Sequence, residues 1–146
     1  TAGQFWSWVG FFSLFSGIIF GSLSDRIGRK AGLMVVFAVQ TLAYLFAGSG
    51  LGVFALLLSV VLYGIAAWAI PAIMTAAVSD YLGIAKAAAG FSLITFFFAG
   101  GQTVGPAVAG LVAEHFGSFA PAFLLSAAMT SGAVLLCLCL PHPAAH

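Results

Sequence analysis

The chain carries four basic and three acidic side chains in 146 residues, and Asp25, Arg26, Arg29 and Lys30 all fall within the ten residues GSLSDRIGRK at 21–30. Such a cluster stays hydrated at an interface, and its plainest role is a stop signal between two apolar segments. The remaining charges are Asp80, Lys86 and Glu114. Catalysis inside an apolar segment would need a nucleophile, an acid–base pair or metal ligands at depth, yet the long segments hold no His, Asp or Glu away from their ends. An enzyme is therefore the least favoured class. Cys137 and Cys139, two residues apart, point in different directions on a helix, so no disulfide is expected. With His142 and His146 they still fall short of a metal site, and small-residue packing is their expected role. No cofactor is expected either.

The elements that would hold these residues are apolar on every face. Apolar types make up 63% of the chain, too many for a soluble surface. Residues 31–79 and 87–113 contain no Asp, Glu, Lys or Arg, and each run exceeds the roughly 20 residues that cross a bilayer core. Four basic residues could neutralise only a few phosphates, which excludes nucleic acid as the partner. The expected partner is the lipid bilayer. The chain starts at Thr1, with no basic stretch before its first apolar run and no evident cleavage site, so a signal peptide is not expected and a fragment of a longer chain is.

Gly, Ser and charged residues interrupt the apolar pattern at 21–30, 47–52, 79–86 and 114–119. The pattern predicts an all-α membrane protein with five transmembrane helices at about 5–23, 31–48, 52–79, 85–113 and 119–140, forming one transmembrane domain over 1–146. Alternating polar and apolar residues, as a membrane barrel would need, are missing. The third and fourth spans are longer than a perpendicular crossing requires, which predicts tilting, or bending near Pro71 and Pro106. All basic residues lie in the first and third linkers, which five crossings place on one face. The positive-inside rule makes that face cytoplasmic, with the N-terminus outside and the tail PHPAAH inside.

Gly21, Asp25 and Gly28 sit at offsets that a simple stop signal does not require. Gly17 and Gly21 would allow close helix approach, and Gly28 a tight turn. The pattern G-x-L-x-D-R-x-G-R-K, comprising Gly21, Asp25, Arg26, Gly28, Arg29 and Lys30, resembles the signature loop of the major facilitator superfamily. GGQTVGPAVAG at 100–110 resembles the Gly-Pro motif that this family places in the fifth helix of a six-helix half. Physically, Gly101, Gly105 and Ala109 form a small-residue seam and Pro106 weakens the backbone ladder. The resemblance implies a secondary transporter that moves a small-molecule solute by alternating access. The third span has no Arg where many first halves carry one, and a short tail follows the last span, so the chain resembles helices eight to twelve: a partial six-helix half. It would then need the missing N-terminal half to transport, in what is expected to be a bacterial inner membrane. The alternative is a complete five-helix structural or assembly subunit.

Helical spacing places Thr95, Phe98 and Gln102 on one stripe of the fourth span, Trp68 and Thr75 on one face of the third, and Ser13 on the first. The resemblance implies that the fourth span borders the central cavity, which makes these the candidate pathway residues, although aromatic positions are better explained by packing. Gln40 and Tyr44 read as interhelical hydrogen bonding. Asp80 is expected to pair with Arg29 or Arg26 as a latch, while Asp25, by the same resemblance, would cap a helix of the absent half and so lack that partner here.

Overall fold

A computed structural model describes residues 2–141, so expectations for His142, His146 and the rest of the tail lie outside the described residues. Six helices follow one another: α1 (Ala2–Ile27), α2 (Arg29–Gly48), α3 (Val53–Ala66), α4 (Ala69–Leu82), α5 (Ile84–Phe116) and α6 (Ala120–Leu138). No strand occurs among the described residues. They make five spans long and apolar enough to cross a membrane, because α3 and α4 together form one, Val53–Leu82.

The expected single helix over 52–79 is thus two helices, and the reason lies in the local hydrogen bonds. Pro71 has no N–H to offer the Ala67 carbonyl. The last turn of α3 tightens, with the Ala67 N–H donating to the Gly64 carbonyl at 3.4 Å, and Trp68 adopts φ −101° and ψ 2° before α4 begins. Pro71 falls in the first turn of α4, where a missing donor is tolerated. α5, by contrast, runs unbroken through Pro106. At 33 residues it is about 50 Å long, well beyond the ~30 Å apolar core, so it must tilt or project.

Breaking a helix at membrane depth frees polar backbone groups that lipid cannot satisfy. Two other helices supply the partners. The Trp68 N–H donates to Ser16 Oγ of α1 at 3.2 Å, and Gln40 Nε2 of α2 donates to the Ala66 carbonyl at 3.5 Å. Ser16 and Gln40 are both buried. Gln40 therefore bonds the α3 terminus, while Tyr44 lies with its ring centroid 5.8 Å from that of Tyr63.

The core surrounds this break. Phe20, Leu33, Val36, Ala66, Ala69, Ile73 and Cys137 form one buried cluster drawn from α1, α2, α3, α4 and α6. α2 packs most extensively against α6, and α1 and α2 both pack on α3. Close approach of α1 to α3 depends on Gly64: a Cβ there would lie 2.8 Å from Phe12 Cβ and 3.3 Å from the Val9 carbonyl oxygen. α5 is the outlier, touching α4 and α6 yet contributing no buried residue.

Candidate functional site

The charged residues converge at one end of the bundle, and the turn between α1 and α2 explains how. Gly28 has φ 92°, a left-handed conformation that other residues rarely adopt. Its N–H closes α1 on the Ser24 carbonyl at 3.0 Å, and its own carbonyl accepts from the Gly32 N–H at 2.9 Å to open α2. Asp25 and Arg29, four apart across this turn, thereby meet.

Arg29 is the centre of the cluster. Its Nε donates to Asp80 Oδ2 at 2.7 Å, while Nη1 donates to Asp25 Oδ1 and to Ser24 Oγ, the latter at 3.0 Å. One guanidinium thus joins the end of α1, the start of α2 and the end of α4. Its side chain is 19% exposed, against 42% for Asp80 and 63% for Asp25, so both carboxylates remain wet. Within the chain, the Gly28 turn presents Asp25 to Arg29.

Lys30 takes a different job. Its ammonium donates to the Leu138 and Leu140 carbonyls at 2.7 and 2.8 Å, satisfying backbone acceptors at the end of α6. Beside it, the Tyr81 hydroxyl donates to the Pro141 carbonyl at 2.7 Å. The loop therefore ties α2 and α4 to the end of α6, which the sequence reading did not anticipate. A basic residue facing the last turn of a helix 108 residues away leaves no local pattern.

Of the other residues singled out, Gly17 lies 3.9 Å, measured from an ideal Cβ, from Ala72 Cβ, whereas Gly21 meets nothing within 4 Å. Arg26 is exposed and takes no part in the ion pairs of Arg29. Gly101 and Gly105 also meet nothing within 4 Å, so no helix among the described residues covers the seam at these two glycines; Pro106 is exposed and Ala109 half-buried. Gln102, Thr95 and Phe98 are exposed along α5. Trp68, 60% exposed, and Thr75 are open on α4's side of the break, and Ser13 is half-buried on α1. The hydroxyls of Ser13, Thr75 and Thr95 bond carbonyls in their own helices, those of Gly10, Pro71 and Phe91. The structure brings together Asp25, Arg29 and Asp80, and leaves the α5 stripe exposed, with no helix among the described residues covering it.

An integral membrane bundle of apolar spans, with a basic loop pinned to the ends of later helices, defines the class as a polytopic membrane protein. Comparison with known families matches residues 2–146 to the Major Facilitator Superfamily. The chain belongs to that superfamily of membrane transporters. No solved structure matches it.

Proposed function

We propose that the chain forms helices eight to twelve of a secondary transporter that carries a small solute by alternating access. The observation that carries this reading is the Arg29 bridge to Asp25 and Asp80, which couples the signature loop to the end of a span broken at mid-depth. A wet ion pair contributes only about 0–1 kcal/mol, too little to secure a fold but enough to shift a two-state population severalfold. The cluster then acts as a latch that favours the inward-closed state, and its end of the bundle is cytoplasmic by the positive-inside rule. Catalysis has no part in this role. The N-terminal half supplies the opposite wall of the solute pathway, and this half alone does not transport. The membrane is the bacterial inner membrane, with the N-terminal end of α1 outside.

Gln102, Thr95 and Phe98 on α5, Trp68 and Thr75 on α4 and Ser13 on α1 face that pathway, since an amide at mid-span is costly against lipid. The experiment is cysteine accessibility in full-length protein with Cys137 and Cys139 replaced by Ala and Ser. Gln102→Cys should react with a membrane-impermeant thiol reagent in right-side-out and in inverted vesicles, and the Arg29→Asp variant should shift the ratio of the two rates. Lack of reaction from both sides, while a loop control reacts, overturns the pathway assignment. A mature protein whose mass equals five helices overturns the half-transporter reading in favour of a small structural subunit.

A further inference from the structure

The packing leaves an apolar groove at the signature-loop end. α2, α4, α5 and α6 enclose a cavity of about 450 Å³, walled by Phe37, Met74, Val78, Ile94, Ala133 and Leu136 among others. Only Tyr81 and Cys137 bring polar groups to its wall, and the Tyr81 hydroxyl is engaged by the Pro141 carbonyl. A polar solute entering here would lose its water without recovering hydrogen bonds. From Tyr81 to Met74 the groove follows α4 for about 10 Å inward from the charged end.

Charge at the mouth decides the occupant. Four basic and two acidic side chains lie at this end, and both acids, Asp25 and Asp80, are bonded to Arg29. Lys86 has no acidic partner among the described residues. It stands in the first turn of α5, four residues before Gly90 and eight before Ile94, so the three share a stripe. That stripe faces α4, since a Cβ on Gly90 would meet Val78 Cγ1 at 3.0 Å, and Ile94 lines the cavity. The Lys86 side chain leans toward the helix N-terminus, which carries its ammonium to headgroup depth.

We propose that this groove seats one acyl chain of an anionic phospholipid whose phosphate is held by Lys86. The apolar wall takes the chain and the uncompensated lysine selects the headgroup charge. A zwitterionic lipid with the same chains would fill the groove without the electrostatic gain. The site rests on the membrane-spanning fold and not on the solute pathway, so it can fail while Gln102 still labels from both sides.

The test is native mass spectrometry of the delipidated full-length protein in neutral detergent, titrated with phosphatidylglycerol or with phosphatidylcholine of identical chains. Phosphatidylglycerol should be retained about fivefold better, the effect of one lysine near an anionic headgroup. Lys86→Gln should remove that preference, and Ala133→Phe, which fills the groove, should weaken retention of both lipids. Equal retention of the two lipids by the unmodified protein, or a preference that survives Lys86→Gln, overturns the proposal. Independently of any variant, phosphatidylglycerol with a mid-chain diazirine should cross-link the unmodified protein within 74–82 or 133–140; adducts confined to other segments overturn it.

Discussion

At the scale of single residues, Arg29 and Lys30 are neighbours with different consequences when lost. Arg29→Gln and Asp80→Asn should each shift the balance of cysteine accessibility between the two membrane faces while leaving Tm nearly unchanged, because the Asp80 carboxylate is solvated and the pair contributes about 0–1 kcal/mol. A double-mutant cycle should show non-additivity, and Arg29→Asp with Asp80→Arg should partly restore the balance. Strictly additive effects would separate the pair from the switch. Lys30→Met should act on α6 instead: amide exchange at its last turn should rise as the Leu138 and Leu140 carbonyls lose their donor, at a cost of about 0.3–1 kcal/mol. Unchanged exchange there would show that water replaces the lysine fully. The contact of Arg29 with Asp80 was legible in the sequence because parity of the spans puts both at one end. The role of Lys30 was not, since its acceptors are backbone atoms, which no residue pattern marks.

At the scale of helices, the break between α3 and α4 needs partners from outside its own segment. Ser16→Ala would leave the part-buried Trp68 N–H without its acceptor and should destabilise the bundle by about 1 kcal/mol, seen as a lower Tm in detergent. Pro71→Ala restores a donor opposite the Ala67 carbonyl and should raise amide protection across 67–71. If protection there stays low, Ser16 and Gln40 hold the break open without the proline. Glycines divide in the same way. Gly64→Leu collides with Phe12 and Val9 and should cost about 1–3 kcal/mol, whereas a Cβ on Gly105 meets nothing within 4 Å among the described residues, so Gly105→Leu should harm chiefly an assembly that covers α5. Equal losses at both positions, measured by thermal unfolding of the five spans alone, would refute that distinction. Span positions follow from long uncharged runs, so the sequence revealed them well. The exact break did not follow, because Pro71 marks the Ala67 carbonyl as freed but not whether the helix bends or breaks there, and the groups that hold the break, Ser16 on the Trp68 N–H and Gln40 on the Ala66 carbonyl, come from other helices. The small-residue seam at Gly101 and Gly105 was conspicuous in sequence, yet close approaches between helices occur elsewhere, at Gly48, Gly64 and Gly90 among others, and Gly64 has no such repeat around it.

For the whole molecule, burial is uneven. α2 lies at the middle of the packing and α5 buries nothing, though α5 is the longest helix. A bundle so arranged should yield first at α5: partial proteolysis or force applied to a detergent-solubilised chain should release 84–116 while α2 and α6 remain paired. Simultaneous loss of α2–α6 pairing would show a single cooperative unit. Charge is uneven as well, with all basic side chains at one end and Glu114 near the other. The two asymmetries meet at the start of α5, where Lys86 stands beside the least covered helix.

Lys30 lies in the first turn of α2, but its acceptors at Leu138 and Leu140 are made 108 and 110 residues later. During translation the ammonium must wait in the headgroup layer until α6 has left the ribosome. The bond therefore records arrival: in a nascent chain stalled before residue 138 Lys30 lacks these two acceptors, and once α6 is in place it has them.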